Sequence, residues 1–295
     1  MDLFLQQLVN GLAVGATYSL FAVGFSLVFA SMGILNLAHG TFASWGAIVA
    51  LLVVTSLDIP FWLALVVGVV AAGLIGVIVD QFGFQPLRGR DSGSLGLIIT
   101  SIGFWLILLE LGLMVNGPNA LSFPDSQLKT SRFSLAGISV SGPQMLSIVA
   151  LIVVGLAMWL FMTRTRFGSA IRAVGYDRTA SMLGGIEPRK IIIVTAFLAA
   201  GIAGLAGVLS GLATNNVSSQ LGEGMLLKGF AAVVVGGFGD IRGAIVGGLL
   251  IGVFEVLGAE YISSGLRDAV TFGLLFLFLI VRPSGIFGEV RHERA

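Results

Sequence analysis

Residues 3–57 read LFLQQLVNGLAVGATYSLFAVGFSLVFASMGILNLAHGTFASWGAIVALLVVTSL and contain no Asp, Glu, Lys or Arg. A helix needs about 20 apolar residues to cross the hydrocarbon core of a bilayer, so this stretch is long enough for two crossings. Near its middle lies SMGILNLAHGTF, residues 31–42, which places Asn36 and His39 inside an otherwise apolar run. The stretch therefore predicts two membrane helices joined by an uncharged turn at SMGILN.

The composition of the whole chain also indicates a membrane protein. Its 295 residues are 56% hydrophobic and 11% charged, with a mean hydropathy of +1.02, whereas soluble domains carry about 25% charged residues. The N-terminus has no basic n-region and no small-residue cleavage pattern, so we expect its first apolar stretch to be a retained span. We expect residues 1–295 to form a single all-α polytopic membrane domain of about eight helices, within a range of seven to nine.

Missing residue types argue against several kinds of chemistry. The chain has no cysteine and two distant histidines, His39 and His292, which argues against a thiolate or histidine metal centre. It has no G-x-x-x-x-G-K-[ST] loop, and GGFGDIRGA has the wrong spacing for a dinucleotide fingerprint. Ser31 and Ser44 flank His39 without an oxyanion motif. We therefore predict no catalytic residue and no metal site, and expect any ATP and Mg²⁺ to be bound by a partner.

Windows of about 20 apolar residues predict spans near 8–30, 37–57, 60–82, 94–115, 144–162 and 191–213, followed by less regular apolar segments at 226–238, 243–258 and 268–281. Eleven of the sixteen basic residues fall in three segments, which are the loop 163–190 (Arg164, Arg166, Arg172, Arg178, Arg189, Lys190), the loop 83–93 (Arg88, Arg90) and the tail (Arg282, Arg291, Arg294). Because cytoplasmic loops are enriched in Lys and Arg, we place these three segments in the cytoplasm. We place the loop 117–143 and the N-terminus in the periplasm.

The Gly-rich segment near 226–258 decides the number of crossings. A periplasmic N-terminus and a cytoplasmic C-terminus require an odd number. Two short crossings in this segment give nine in total, whereas one broken or re-entrant element gives seven or eight. Glycines at four positions favour unwinding and a hinge, and short Gly-broken segments are typical of transport pathways; these are Gly236, Gly237, Gly239 and Gly243.

The stretch RAVGYDRTASMLGGIEPRK, residues 172–190, has the pattern of one short amphipathic helix. Gly184 and Gly185 are expected to cap it, and Pro188 to prevent its continuation. The residues alone leave two interpretations open. The stretch is either a solvated loop made basic by its topology, or a docking helix that inserts into a groove on a partner.

Polar residues in the second span are candidates for a transport pathway or gate. Asn36 can instead cap that span by accepting a hydrogen bond from a free backbone N–H. His39 should point into the bundle, because an imidazole in lipid needs a partner or water. Its role is open between a packing hydrogen bond and a pathway residue that opens and closes with the docking segment.

Acidic residues in or near other spans divide into two groups. Glu255 is a candidate for the pathway or for a contact between subunits, because a buried carboxylate is costly unless it is paired or hydrated. Arg242 is the candidate counter-charge of Glu255, and we therefore count it among the candidate pathway residues. Asp80 and Glu110 lie near span ends, where reaching the interface suffices, so we expect both to be structural.

Residues 10–40, NGLAVGATYSLFAVGFSLVFASMGILNLAHG, closely resemble the N-terminal signature of permease subunits of branched-chain amino acid ABC transporters. In that family N-G-x-x-x-G-x-x-Y-x-L leads into N-F-A-H-G. Two more stretches match in order, ASMLGGI (180–186) and LKGFAAVVVGGFGDIRGAIVGGLLIGVFE (227–255). The likeness runs from Gln7 to Gly288 and is closer to the H-type permease than to its longer M-type partner. Leu37 replaces the usual Phe, and Thr41 stands where many relatives carry Glu.

What the resemblance implies is a non-enzymatic permease subunit of an import complex in the bacterial inner membrane. Its partners would be an M-type permease, two cytoplasmic ATPases that hold ATP and Mg²⁺, a periplasmic substrate-binding protein and the lipid bilayer, with no nucleic acid. Residues 172–186 would be the coupling helix, and its contacts to the ATPase would be Arg172, Asp177, Arg178, Met182, Leu183, Gly184, Gly185 and Ile186. Relatives move branched-chain or other amino acids, urea, amides or small carboxylates.

Two other classes of function remain as alternatives. An ion-gradient-driven secondary transporter needs a carboxylate at mid-membrane that is protonated or coordinates an ion, and Glu255 is the candidate for it. A subunit without a transport role of its own would leave transport intact when removed.

Overall fold

The computed structural model describes residues 2–88, 93–125, 127–135 and 137–288. The helices in these ranges are α1 (Asp2–Met32), α2 (His39–Leu57), α3 (Phe61–Val79), α4 (Gly93–Asn116), α5 (Gln127–Thr130), α6 (Gly142–Arg164), α7 (Arg166–Tyr176), α8 (Arg178–Leu183), α9 (Pro188–Thr214), α10 (Leu221–Gly236), α11 (Ile241–Tyr261) and α12 (Arg267–Val281). The strands β1 (Arg132–Leu135) and β2 (Ile138–Ser141) form an antiparallel hairpin. Four residues named above, Arg90, Arg291, His292 and Arg294, lie outside the described residues.

The long helices have the length and composition of membrane spans. Within the described ranges eight of them qualify, namely α1, α2, α3 with its C-terminal extension, α4, α6, α9, α11, and α12 together with the 3-10 turn that precedes it (Ser264–Val281). The expected all-α polytopic membrane protein is thereby confirmed. α10 has 16 residues, about 24 Å, and is a shorter ninth segment. It lies antiparallel to α11, and the chain breaks between them at residues 237–240.

The connecting segments collect at two ends of the helix bundle. The hairpin end carries β1 and β2, together with two loops that pair through Leu121 and Val217. Gln6, near the start of α1, also bonds to Ser139 of β2 at this end. The basic end carries α7, α8 and the segment 282–288, which bonds to the last residues of α10.

α1 is the central helix, and small residues allow its close packing against α11. A Cβ built on Gly11 lies 2.8 Å from Val253 Cα, and one built on Gly15 lies 2.9 Å from Leu249 Cα. A Cβ on Gly252 overlaps the backbone of Gly15. Lipid is as apolar as a leucine side chain, so helix association in a membrane depends on such van der Waals contact and on hydrogen bonds. Gly11 and Gly15 are therefore close-packing positions.

The chain between α1 and α2 is non-helical and lies inside the bundle. Gly33 has φ +66°, a left-handed conformation that glycine adopts at little cost. The backbone N–H of Leu37 donates to Ser101 Oγ at 3.2 Å, and Ser101 lies about 12 Å along α4 from its first residue. Residues 33–38 are therefore a re-entrant, non-helical segment. Irregular backbone at membrane depth persists where protein surrounds it.

α3 ends in a π-helical turn, Asp80–Phe84, followed by a 3-10 turn, Gln85–Leu87. Asp80 is 1% exposed and forms an ion pair with Arg88. It therefore does not reach the interface as the sequence suggested, because a cation meets it within the protein. The Arg88 Nη2 also lies 3.0 Å from Met32 Sδ at the end of α1. Glu110, by contrast, is exposed, and its structural role stays a prediction.

Replacing Gly252 with alanine tests the α1–α11 contact. The added methyl group overlaps Gly15, so we expect Gly252→Ala to lower the free energy of unfolding by about 2 kcal/mol. The matched control is Gly103→Ala on α4, where a Cβ meets no atom within 4 Å. The control should be neutral or stabilising, since alanine is the better helix former. Thermal unfolding in detergent measures both, and equal melting temperatures would contradict the packing argument.

Candidate functional site

The predicted coupling segment consists of two helices rather than one. α7 ends at Tyr176, and α8 starts at Arg178. Asp177 between them has extended backbone, and its Oδ1 accepts hydrogen bonds from the N–H groups of Thr179 (2.8 Å) and Ala180 (2.9 Å). The single helix expected from Arg172 to Leu183 is therefore wrong. An Asp that satisfies the free N–H groups of a first turn starts a new helix there.

The C-terminal end of α8 matches the expectation. The Gly185 N–H donates to the Met182 carbonyl at 3.0 Å, and the Ile186 N–H donates to the Ser181 carbonyl at 3.0 Å. Gly185 has φ +79°. These two bonds are those of a Schellman motif. Pro188 then occupies the first turn of α9, where its missing N–H costs nothing.

One face of this two-helix segment is buried and the other is exposed. Ile171 and Val174 are buried in the core, and a Cβ on Gly175 overlaps the carbonyl oxygen of Ala30 near the end of α1. On the outer side, Met182 is 52% exposed and Leu183 is 88% exposed. The segment therefore sits directly on α1 and presents an apolar surface outward.

An open groove of about 750 Å³ lies beside the segment, between the ends of α6 and α7 and the start of α9. Its wall combines basic residues with apolar ones, including Arg166, Phe167, Ile186 and Lys190. The guanidinium of Arg172 is hydrogen-bonded within the protein. It donates to the Met162 carbonyl of α6 and to Ser169 Oγ.

His39 lies at the first residue of α2 and is completely buried, as expected for a residue that points into the bundle. Three aromatic rings meet it edge-on, with centroid distances of 4.9 Å to Phe21, 5.5 Å to Phe25 and 5.7 Å to Phe42. In the part of the chain described, neither ring nitrogen has a partner in hydrogen-bond geometry. Its packing partners are therefore apolar.

Asn36 is buried in the re-entrant segment and accepts a hydrogen bond from the Ala38 N–H at 3.0 Å. It makes a bond of the capping type, although Ala38, not Asn36, holds the N-cap position of α2. A second cavity, of about 290 Å³, lies between this segment and the basic end. Ile34, Arg88 and Arg178 line it, which brings the re-entrant segment next to α8.

Glu255 lies at the centre of an ion cluster within the bundle. It is 1% exposed, and its Oε1 lies 2.7 Å from Lys228 Nζ, 3.1 Å from Arg267 Nε and 3.3 Å from Tyr18 Oη. Lys228 Nζ also lies 3.4 Å from Asp268 Oδ1. The cluster joins α1, α10, α11 and α12.

Arg242 is not the counter-charge of Glu255. Its guanidinium lies over the ring of Trp159, 5.6 Å from the centroid, at the basic end. The two residues are on the same helix, about 20 Å apart along its axis.

The four predicted hinge glycines occupy the break between α10 and α11. A Cβ on Gly236 or on Gly243 overlaps the backbone of the other residue. Gly237 and Gly239 have φ +108° and +82°, which side-chain-bearing residues rarely adopt. The glycines thus make a tight turn at the basic end, and their hinge role stays a prediction.

Sequence reasoning missed Tyr18, Lys228 and Arg267 as partners of Glu255. A signal was present in the antiparallel pairing of α10 and α11. If the two helices fold back at residues 237–240, Gly236 opposes Gly243, and Lys228 falls within about one turn of Glu255. Gly175 was also missed, because its importance depends on contact with a helix far away in the sequence.

These features define a polytopic α-helical membrane protein with the two-helix segment α7–α8 at one end and an ion cluster around the buried Glu255 toward the other. Residues 7–279 match the family model described as "Branched-chain amino acid transport system / permease component". The chain belongs to this family and is a permease subunit of the ABC importer type, a multi-pass protein of the inner membrane.

Two curated relatives from branched-chain amino acid transport systems are similar over nearly their whole length. The chain is 33% identical over 302 residues to the high-affinity branched-chain amino acid transport system permease protein BraD of Pseudomonas aeruginosa, covering 99% of this chain and 98% of that one. It is 31% identical over 307 residues to LivH of Escherichia coli (strain K12), covering 99% and 97%. A solved structure, PsaBC from Streptococcus pneumoniae in complex with Fab, shares the fold with a TM-score of 0.52, 14% identity and coverage of 96% and 94%.

Removing the Asp177 carboxylate tests the break between α7 and α8. Asp177→Ala leaves the Thr179 and Ala180 N–H groups without their acceptor, which typically costs about 1 kcal/mol of helix stability. We expect faster amide hydrogen exchange in residues 178–183 and unchanged exchange in α9. Asp177→Asn, which keeps an acceptor oxygen, is the control. Unchanged exchange in the alanine variant would show that Asp177 does not hold α8.

Proposed function

We propose that this chain is the H-type membrane subunit of an ATP-driven importer for branched-chain or related amino acids, or for similar small polar solutes. The substrate class is supported by the similarity to BraD and LivH, whose names assign them to high-affinity branched-chain amino acid transport systems. A second permease, two cytoplasmic ATPases that bind ATP and Mg²⁺, and a periplasmic binding protein complete the proposed complex. Catalysis then belongs to the ATPases, and this chain provides no catalytic residue.

The observation that carries the proposal is the two-sided contact of α7 and α8. Their inner face meets α1 at Gly175 and Ala30, and their outer face exposes Met182 and Leu183 beside a basic groove. An exposed apolar surface of this kind is suited to a partner's groove. In the proposed complex the ATPase holds this face through the residues expected for coupling, from Arg172 to Ile186.

Movement of the docked segment has a direct route into the bundle. Gly175 touches Ala30, and two residues further along, α1 ends at Met32. The re-entrant segment 33–38 follows and leads to His39. We propose that this segment, with Asn36 and His39, changes conformation when the ATPases close. Glu255 and the glycine turn 236–243 are proposed parts of the pathway and hinge.

The proposed orientation places the basic end in the cytoplasm. With α10 counted as a crossing, the described helices give nine crossings. An odd number of crossings places the two termini on opposite sides of the membrane. With the basic end in the cytoplasm, the N-terminus and β1–β2 lie in the periplasm and the C-terminus lies in the cytoplasm. The exposed Arg and Lys residues of 164–190 then lie inside, as the positive-inside tendency requires.

An ion-gradient-driven transporter has less support. The relatives named above belong to branched-chain amino acid transport systems. Glu255 is paired with Lys228 and Arg267, so its charge is already balanced by protein cations and it does not need a transported ion for that purpose.

Adding a methyl group at Gly175 tests the coupling. Gly175→Ala pushes α7 away from Ala30, so we expect ATP-dependent uptake to fall about ten-fold or more in proteoliposomes containing the whole complex. The control is Gly103→Ala on α4, outside the coupling segment, where a new Cβ meets no atom within 4 Å. ATPase activity is measured for both variants and shows whether the partner ATPases still hydrolyse ATP. Full uptake in Gly175→Ala would refute this route of coupling.

Cysteine labelling tests the orientation, because the chain has no cysteine of its own. Thr179→Cys at the basic end and Ser134→Cys on β1 both place a thiol at an exposed position. With a membrane-impermeant maleimide on intact spheroplasts, we expect labelling of Ser134→Cys and none of Thr179→Cys until the cells are opened. Labelling of Thr179→Cys from outside would leave no access for a cytoplasmic ATPase, and the proposed function would be abandoned.

A further inference from the structure

The two carboxylate oxygens of Glu255 differ in the contacts that they make within the ion cluster. Its Oε1 takes all three contacts, from Tyr18, Lys228 and Arg267. Its Oε2 is buried and has no hydrogen-bond partner among the described residues. A buried acceptor without a donor is costly, and each such group in a native protein calls for an explanation. Glu255 Oε2 can therefore accept a hydrogen bond from one more donor.

The cluster also holds a cation with bonding capacity to spare. Arg267 pairs with Glu255 through Nε, and its side chain is 49% exposed. The terminal N–H groups of a guanidinium form a planar fork that fits a carboxylate. The cluster thus contains both a carboxylate oxygen without a donor, on Glu255, and a guanidinium whose terminal N–H groups can bind a carboxylate, on Arg267.

The charges of the cluster restrict the class of ligand. Lys228 and Arg267 balance Glu255 and Asp268, so the cluster is neutral as it stands. Glu255 is 1% exposed, and bringing an unpaired charge next to a buried group is costly. A zwitterion adds an ammonium and a carboxylate together and leaves the site neutral. The backbone of an α-amino acid carries both groups on neighbouring atoms.

The two exposed members of the cluster, Arg267 and Asp268, lie at the hairpin end of α12. Glu255 lies about 9 Å along α11 from its last residue, Tyr261. Residues 262–266 between α11 and α12 are all exposed, and Arg267 is the first residue of α12. The docking segment α7–α8 is at the opposite end of the bundle.

We propose that Tyr18, Lys228, Glu255, Arg267 and Asp268 form a binding site for the zwitterionic backbone of an α-amino acid. The ligand ammonium donates to Glu255 Oε2, and the ligand carboxylate accepts from the terminal N–H groups of Arg267. Tyr18 and Lys228 hold the Glu255 carboxylate in place through Oε1. The inference rests on the proposed function for its substrate class, and it assigns recognition of the backbone, not of the side chain, to this cluster.

A cysteine reporter beside the cluster provides the test. Ser264→Cys places the chain's single thiol at an exposed position in the turn before Arg267. The rate at which a cationic methanethiosulfonate reagent modifies this thiol is measured in the assembled transporter in detergent, without the binding protein. Leucine is the zwitterionic probe, α-ketoisocaproate lacks the ammonium, and isopentylamine lacks the carboxylate. Ser134→Cys on β1 is the control reporter.

We expect saturating leucine to slow modification at Ser264→Cys about ten-fold, and each analogue to have little effect, because one charge-assisted bond contributes about a ten-fold difference in affinity. Adding Glu255→Gln to the reporter variant should abolish protection by leucine while the complex still assembles. The analogue series needs no change at Glu255, so it decides the matter even if Glu255→Gln fails to fold.

Several results would overturn the inference. Equal protection by α-ketoisocaproate would show that the ammonium is not read, and protection by sodium chloride but not choline chloride would identify an inorganic cation site. Equal protection at Ser134→Cys would indicate a global change, and no protection at all would leave the cluster without a ligand. ATP-dependent leucine uptake by the unmodified complex is measured separately. Its absence would refute the proposed function, whereas uptake without protection would refute the site alone.

Discussion

Close contact between small residues of α1 and α11 is the constraint on which the rest of the structure depends. In a bilayer, apolar side chains gain little by leaving lipid, so the helices are held by direct packing and by hydrogen bonds. Gly11, Gly15 and Gly252 bring the two backbones together over two turns. That contact fixes α1 at the centre of the bundle, with α9 and α10 also packed against it. The re-entrant segment and the two helices α7 and α8 are both positioned relative to this helix.

Unwound backbone at residues 33–38 follows from the same arrangement. A segment with free N–H and C=O groups is tolerated within a membrane where protein surrounds it and supplies partners. Ser101 provides one such partner to Leu37, and Asn36 provides another to Ala38. His39 is then left among three phenylalanine rings. This break lies at the end of the helix that α7 touches, so the bonds that Ser101 and Asn36 supply are next to the contact between Ala30 and Gly175.

The sequence predicted the membrane helices well, because the length of an apolar run depends on local composition. It also predicted the end of α8, since Gly185 and Pro188 act on their own backbone. Features that depend on distant contacts were harder to predict. Asp80 looked like an interfacial residue because Arg88 lies beyond the end of the span, and the ion pair appears once the π-helical turn brings them together. Arg242 was chosen for Glu255 by proximity in sequence, whereas Lys228 and Arg267 reach it from other helices.

α1 connects the two regions of the molecule that the proposed mechanism requires. Ala30 meets Gly175 at the basic end, and Tyr18 meets Glu255 in the ion cluster. The two residues are about 18 Å apart along one continuous helix. α1 and α11 are packed backbone to backbone at Gly15 and Gly252, so α1 and the helix that carries Glu255 form one unit. In the proposed mechanism a displacement at Ala30 therefore moves α1 and α11 together, and the ion cluster changes where Lys228 of α10 and Arg267 of α12 meet Glu255.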